Sequence, residues 1–139
     1  MGVATAEIRL STQGDGHVLD ITERVAVAVE SSGLKAGVTH LFVVGSTAGL
    51  TTIEFEPGCV HDLQEMFERI APRQADYLHH ERWGDHNGHS HMRASLLGPH
   101  LAVPFVDGKV TLGTWQQVIL VDFDDRPRDR TVVVQSIGE

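Results

Sequence analysis

The sequence predicts an α+β fold in which helices pack on largely antiparallel sheets. Short β-rich runs alternate with turn residues along most of the chain, which is typical of hairpin-connected strands. Two interrupting segments carry apolar residues at helical spacing. The length of 139 residues is enough for one core but not for two, so residues 1–139 are expected to form a single domain.

Composition excludes several classes of protein. Hydrophobic residues make up 41% and charged residues 22% of the chain, as in a globular protein. The 19 acidic residues outnumber the 11 basic ones, which argues against a nucleic-acid partner. No apolar stretch is long enough to span a membrane, and the single Cys59 excludes an intramolecular disulfide. We therefore expect a cytoplasmic protein that binds neither nucleic acid nor membrane.

The first elements predicted are a hairpin and a helix. Two β-rich runs, 5–11 and 16–19, flank a turn over residues 13–16, which is a fair hairpin signal. A helix then begins at Asp20 or Thr22 and ends at Gly33, which can adopt the left-handed cap conformation. Its apolar face carries Val25, Ala28 and Val29.

Two strands and a second helix follow. The run 40–45 is almost wholly apolar, as in a strand covered on both faces, whereas the run 50–56 alternates. From Pro57 onward apolar residues recur at spacings of three, four and three, which predicts an amphipathic helix that ends before Pro72. These residues are Val60, Leu63, Phe67 and Ile70.

The remaining chain predicts a loop, a short helix and several strands. Residues 71–87 show no period, and a loop of this length in a compact domain is more often functional than idle. Asn87 can cap a helix that runs through Leu97. Strands are expected over 100–106, 109–112, 115–123 and 131–137, with a hairpin turn at Asp107-Gly108. The apolar run Val118–Val121 needs a cover, either a second sheet or another subunit.

Five of the nine histidines lie within residues 77–93. Three imidazole nitrogens and a water form an open catalytic metal site, which makes His79, His89 and His91 candidate ligands. His89 and His91 would point the same way on an extended chain but diverge in a regular helix. His80 and His86 are expected to be exposed neighbours. The alternative is a solvated, pH-sensitive loop without a ligand.

Other polar residues suggest an anion site and a general base. Arg93 lies one turn into the helix that follows Asn87, where free N–H groups would suit a phosphate or a carboxylate. The alternative is an ordinary surface arginine. Glu54 is either a solvated residue or a general base beside the histidines. Ser46 and Thr47 belong to a turn of small residues that could present hydroxyl and N–H groups to an anion.

Two further residues each have a structural and a functional interpretation. Trp115 with Gln116 could line a pocket for a ring, although a tryptophan that covers the core is the preferred interpretation. Cys59 at a helix start could have a lowered pKa, but it has no obvious partner, so an inert thiol is expected.

Four segments together resemble the YjbQ-like family of small proteins. They are GSTAGLTTIE, NGHSHMRASLLGP, DGKVTLGTWQQV and VVVQSIGE, and they occur in the family's order and spacing. The resemblance implies the family's α+β fold, a homotrimer and a pocket near subunit boundaries. It also implies a metal bound by histidines, most often taken as zinc, and a secondary thiamine-phosphate synthase activity.

The resemblance carries over to individual positions of this chain. Many members have a His where this chain has Gly45, and if that His belongs to the site, His89 would have to compensate for it. The metal set implied is His79, His89 and His91, and Glu54 and Arg93 are the catalytic candidates. The residues expected to bind substrate are Ser46, Thr47, Asn87, Ser95, Thr114, Trp115 and Gln116.

These observations together predict a metal-binding transferase that acts on a small phosphorylated heterocycle. In this prediction Arg93 holds a phosphate, Glu54 moves protons, and zinc polarises the reacting groups. Metal-assisted hydrolysis of a small phosphate or amide is one alternative. A non-catalytic trimer that holds a metal or a small ligand is the other.

Overall fold

The chain folds into two antiparallel β-sheets and four helices, in a computed structural model that describes residues 1–139. The strands are β1 (Gly2–Thr12), β2 (His17–Asp20), β3 (Ala36–Val43), β4 (Ala48–Ile53), β5 (His100–Val106), β6 (Lys109–Val110), β7 (Gln117–Asp122) and β8 (Arg128–Gly138). The helices are α1 (Thr22–Ser31), α2 (Pro57–Ile70), α3 (Leu78–Trp83) and α4 (Gly88–Leu97). Every strand pair is antiparallel, which confirms the predicted α+β class.

The two sheets enclose the main core between them. Sheet A has the strand order β1-β8-β3-β5-β6, and sheet B has the order β2-β7-β4. Leu41 and Val134 of sheet A belong to the same buried cluster as Leu50 and Leu120 of sheet B. Because side chains alternate along a strand, each sheet can contribute one apolar face to this core.

Strand β7 is buried on both faces within one chain. Val118 and Leu120 belong to the core between the sheets, whereas Ile119 and Val121 pack in a second cluster with Phe67 of α2. All four β7 residues are at most 1% exposed. The prediction that a second sheet covers one face of Val118–Val121 is confirmed. No other subunit is needed as a cover, because α2 and α4 cover the other face.

Helix α2 forms as the spacing of its apolar residues predicted. Its N-terminus is capped by the Glu56 carboxylate, which accepts hydrogen bonds from the N–H groups of Gly58 and Cys59. Phe67 lies against Phe123 with ring centroids 4.7 Å apart. This contact anchors the helix on sheet B.

The predicted hairpin over residues 5–19 is wrong. Strand β1 pairs with β8 in sheet A, and β2 pairs with β7 in sheet B. The turn between them keeps positive φ angles at Gly14, Asp15 and Gly16, so its local signal was real. The strands find longer partners elsewhere, and the turn carries the chain from one sheet to the other. The hairpin at Asp107-Gly108 is confirmed.

Two further expectations need correction. Strand β3 is not covered on both faces, because Leu41 and Val43 are buried while Phe42 is 49% exposed. The outer face of sheet A carries no second layer in a single chain. The region 71–87 is not wholly a loop, because it contains α3. Helix α4 has the predicted bounds, and no helix of the chain is long and apolar enough to cross a membrane.

Candidate functional site

Two histidines meet where α3 lies against α4. The rings of His79 and His91 have centroids 4.4 Å apart. The Nδ1 atom of His79 lies 3.1 Å from Oδ1 of Asp85. Both of these atoms are buried and neither makes a hydrogen bond, so each retains the capacity to bind a ligand or a water.

The environment of His91 favours a neutral ring. Burial and the neighbouring His79 lower its pKa, and they outweigh the opposite effects of Asp124, Asp85 and the Ser46 backbone. A ring with a lowered pKa is unprotonated at neutral pH. His91 can therefore accept a proton or a hydrogen bond there.

His80 is not the exposed neighbour that was predicted. Its Nε2 atom accepts a hydrogen bond from the backbone N–H of Gly88 at 2.9 Å, and its ring is partly buried. Gly88 permits this approach because a Cβ at that position would overlap the side chain of Tyr77. The bond joins α3 to the first turn of α4 and uses one of the N–H groups that was expected to face an anion. His86 is exposed, as predicted.

His89 lies apart from the His79–His91 pair. It is 1% exposed, and burial together with the charge of Arg93 lowers its pKa to about 4. Its Nδ1 atom is buried without a partner. Residues two positions apart on a regular helix point in different directions, which is why His89 and His91 separate once α4 forms.

The predicted three-histidine metal set does not assemble in this structure. His79 and His91 lie together, but His89 belongs to the neighbourhood of Arg93 and Glu68. No three His, Cys, Asp or Glu side chains are arranged so that they could hold a metal ion. The three predicted histidines therefore do not form a zinc site within one chain.

Arg93 has a structural role. Its Nε atom donates to the carbonyl oxygen of Ala71 at 2.9 Å, and its Nη2 atom donates to Glu68 at 2.5 Å. The side chain is 9% exposed, so it is not an ordinary surface arginine either. These bonds tie α4 to the end of α2 and use Nε and Nη2 of the guanidinium within the fold.

A buried charge network lies behind the 45–47 turn, and the sequence analysis did not find it. Asp122 is fully buried and accepts hydrogen bonds from Nε and Nη2 of Arg130 at 2.7 and 2.9 Å. Thr12 donates a third bond to the same carboxylate at 2.6 Å. Burial alone would raise the pKa of Asp122, but these bonds outweigh it and lower the pKa.

The network had a signal in the sequence. Asp122 follows the buried run of β7 and shares a strand face with Leu120, while Arg130 shares a face with the buried Val132. Charged residues are almost never fully buried unless they are paired. Two opposite charges at buried positions of strands therefore indicate an ion pair, although only the tertiary structure shows that they meet.

Four predicted substrate-binding residues lie near this network and the histidine pair. Thr47 donates to Asp124 at 3.0 Å and accepts from Arg130 Nη2 at 2.6 Å. Asn87 precedes α4 as predicted, but its amide donates to Asp124 at 3.3 Å instead of capping the helix. Ser46 and Ser95 are exposed. Ser95 lies one helical turn after His91, on the same face of α4.

The other predicted site residues lie at the far end of sheet B. Ala48 pairs with Asp122 at one end of the β4–β7 ladder, and Ile53 pairs with Gln117 at the other, a separation of about 17 Å. Glu54 follows Ile53 directly and is exposed. One chain therefore does not bring Glu54 next to the histidine pair.

The turn before β7 lies at the same far end. Gln116 donates to Thr52 at 3.1 Å and accepts from the N–H of Gly113 at 3.0 Å. Trp115 is 72% exposed, so the preferred interpretation that it covers the core is wrong for a single chain. Thr114 is also exposed. This end of the sheet presents a large aromatic side chain to the outside.

The surroundings of Cys59 disfavour a reactive thiolate. Burial of the thiol and the nearby carboxylates of Glu56, Glu54 and Asp62 raise its pKa. A raised pKa disfavours the reactive thiolate.

A polar cleft of about 750 Å³ opens beside the histidines, but it does not contain the His79–His91 pair. His80, His86 and three aspartates contribute to its lining, and Arg73 forms an ion pair with Asp15 across it. None of the residues predicted to bind metal or substrate lines this cleft. We therefore place the candidate site on the histidine pair and the 45–47 turn.

The fold and this site define a class: small two-sheet α+β proteins with a histidine-rich helix junction at one end of sheet B. The family model described as "UPF0047 protein YjbQ-like" matches residues 6–139. The chain belongs to this family, as the four sequence segments indicated.

Relatives and solved structures agree with this assignment. A UPF0047 protein of Methanothermobacter thermautotrophicus is 36% identical over 139 residues, which are 100% of this chain and 95% of that protein. The crystal structure of a YbjQ-like protein of unknown function from Sulfolobus solfataricus superimposes with a TM-score of 0.93 at 33% identity and covers 99% of each chain. A family member from Clostridium acetobutylicum, described as uncharacterized, gives a TM-score of 0.87 at 37% identity over 95% of this chain and 99% of its own.

Proposed function

We propose that this protein is an enzyme acting on a small phosphorylated heterocycle, with His79 and His91 as its proton-handling pair. The observation that carries the proposal is the contact of these two rings, with Asp85 beside the Nδ1 atom of His79. Asp85 places a negative charge beside His79, and an imidazole that is neutral at pH 7, as at His91, suits general acid–base catalysis.

The substrate class follows from the family resemblance. In thiamine-phosphate synthesis the ring nitrogen of a thiazole phosphate attacks the methylene carbon of a pyrimidine diphosphate. The new C–N bond forms as the C–O bond to the diphosphate breaks, and the diphosphate leaves with both bonding electrons. In our proposal this chain binds the two reactants at the 45–47 turn, and the imidazole pair donates a hydrogen bond to the leaving oxygen.

The proposal includes a homotrimer whose site is shared between subunits. Glu54 and Trp115 belong to the predicted site, yet they lie at the opposite end of β4 from the histidine pair. In a cyclic assembly, different surfaces of adjacent subunits meet at every interface. Such a ring would bring Glu54 and Trp115 of one copy to the histidine pair of the next.

The outer face of sheet A supports an assembly of some kind. In the strand register Val3 lies beside Ile137 and Ile137 lies beside Val38, so these apolar side chains form a row across three strands. They are 65%, 41% and 36% exposed, and Phe42 on the same face is 49% exposed. A contiguous exposed apolar face is typical of an interaction surface.

A divalent metal, zinc first, is the second candidate for this site. The observation in its favour is the unused capacity of His79 Nδ1 and Asp85 Oδ1, two buried atoms without hydrogen bonds. Of the predicted ligands, only His79 and His91 are placed to act together. Elemental analysis of untagged protein tests this candidate. His91→Ala should lose the metal while His86→Ala retains it. Equal metal content in the two variants would rule out a metal held by His91.

The first experiment on the proposed function is a steady-state assay with the pyrimidine diphosphate and the thiazole phosphate. We expect product and diphosphate in equal amounts, and a loss of turnover of at least about 100-fold in His91→Ala. His86→Ala, which changes an exposed histidine outside the pair, is the matched control. Binding of the phosphorylated substrate without turnover would instead support the non-catalytic trimer.

The second experiment tests the shared site by subunit complementation. Glu54→Gln and His91→Ala are each expected to be inactive as pure trimers. When the two are unfolded, mixed in equal amounts and refolded, about a quarter of the sites should combine an intact Glu54 with an intact His91 from neighbouring copies. Activity that stays at the level of the separate variants would show that the two residues do not share a site, and a monomeric mass by light scattering would exclude the assembly.

A further inference from the structure

Arg130 is buried but incompletely used. Its side chain is only 4% exposed. Two of its nitrogens, Nε and Nη2, donate to the carboxylate of Asp122, and Nη2 also donates to Thr47. The guanidinium is therefore fixed in position, and like every arginine side chain it carries a positive charge.

The third nitrogen of Arg130 faces the surface. Nη1 makes no hydrogen bond within the chain and is not among the buried polar atoms that lack a partner, so it is open to solvent. It lies beneath Gly45, where a Cβ would come within 2.7 Å of it. Gly45 is exposed and has a φ of +140°, a conformation that residues with a side chain rarely adopt. The glycine thus leaves the edge of the guanidinium uncovered.

The ion pair with Asp122 does not explain why Nη1 of Arg130 is left uncovered. The ion pair uses Nε and Nη2, and its geometry would be the same with Nη1 covered. The other nearby carboxylate, Asp124, is occupied by Thr47, Asn87 and Arg128 and lies 3.9 Å from Nη2. No acidic side chain of the chain therefore takes up Nη1.

We propose that Nη1 of Arg130, uncovered by Gly45, binds a phosphate group of a small phosphorylated ligand. The choice of ligand rests on the proposed function, and the site itself rests on the geometry of Arg130. Guanidinium groups bind phosphate oxygens through strong charge-assisted hydrogen bonds. Arg130 thus takes the role that the sequence analysis gave to Arg93, because Arg130 lies beside the 45–47 turn whereas Arg93 is bonded to Glu68 and to the end of α2.

The position suits the histidine pair. The exposed hydroxyl of Ser46 follows Gly45, and the Ser46 backbone contacts the ring of His91. A phosphate on Nη1 would therefore lie beside the 45–47 turn, next to the imidazole that handles protons. The arrangement holds the phosphate by a rigid donor on a buried strand instead of a flexible surface side chain.

The test measures binding of inorganic phosphate and pyrophosphate by isothermal titration calorimetry at low ionic strength. We expect wild type to bind with a Kd on the order of 1 mM or tighter. Gly45→Ala, which places a methyl group on Nη1, should weaken binding at least tenfold. Gly33→Ala is the matched control, because Gly33 also has a positive φ but a Cβ there would meet no atom within 4 Å, and it should bind as wild type does.

Two measurements keep the test decisive if Gly45→Ala fails to fold. Arg130→Lys retains a charge for Asp122 but has no Nη1, and it should lose phosphate binding. In unaltered protein, the side-chain ¹⁵N resonance of Arg130 should shift as phosphate is added, while that of Arg93 should not. Equal phosphate binding by wild type and Gly45→Ala, no binding by wild type, or a shift at Arg93 alone would each overturn the site.

The phosphate-binding test of Arg130 can succeed or fail independently of the turnover assay of the proposed enzyme. Phosphate binding that depends on Gly45 and Arg130, without turnover of the heterocyclic substrates, would leave this site standing and remove the proposed reaction. If Gly45→Ala changes neither turnover nor phosphate binding, the proposed reaction stands and the Arg130 site is removed.

Discussion

Acidification should destabilise this protein through His89, and the structure allows the effect to be calculated. The ring is 1% exposed, and burial together with Arg93 lowers its pKa from 6.5 to about 4. Between these values the unfolded chain binds a proton that the folded chain does not, so the free energy of unfolding falls as the pH falls. The contribution is fully present above about pH 6.5 and is exhausted below about pH 4. Between pH 8 and pH 5 it amounts to about 2 kcal/mol.

Urea unfolding at pH 8 and pH 5, at one fixed protein concentration, measures this effect. His89→Gln cannot be protonated, so the variant should lose about 2 kcal/mol less stability between the two pH values than wild type. Any cost of the substitution itself appears at both pH values and cancels in the comparison. His86→Gln, which changes an exposed ring, should follow wild type. A His89→Gln variant that loses as much stability as wild type would refute the assignment of a buried neutral imidazole.

Three further substitutions test other parts of the fold. Asp122→Asn leaves the buried guanidinium without its ion pair and should cost about 3–5 kcal/mol in urea unfolding. Asp129→Asn, on the neighbouring residue of Arg130 in β8, changes an exposed side chain and should alter stability by less than about 0.5 kcal/mol. Gly14→Ala should be more destabilising than Gly33→Ala by at least about 1 kcal/mol, because both glycines have positive φ but only at Gly14 would a Cβ overlap backbone carbonyl oxygens. Equal urea-unfolding midpoints for the two variants would contradict this. Trp115→Ala should leave the circular dichroism spectrum unchanged while it lowers the fraction of the proposed trimer in light scattering, and an unchanged molar mass would remove Trp115 from the proposed interface.

Local patterns were sufficient for most elements of the fold. The 3-4-3 spacing that starts at Val60 predicted α2, and Asn87 and Gly98 bracketed α4, because a helix is determined by residues a few positions apart. The Asp107-Gly108 turn likewise determined its own hairpin. The hairpin predicted over residues 5–19 failed because strand pairing is non-local, and β8, more than a hundred residues away, is the better partner of β1.

The sequence by itself determined the fold class and the family, and it named His79 and His91 as candidate site residues. Only the tertiary structure decided which polar residues are free to act. It used Arg93 within the fold, separated His89 from His91, placed Glu54 at the opposite end of β4, and left Nη1 of Arg130 uncovered. The physical reason is that helix and turn formation depend on neighbouring residues, whereas the availability of a charged group depends on every partner that the complete fold brings to it.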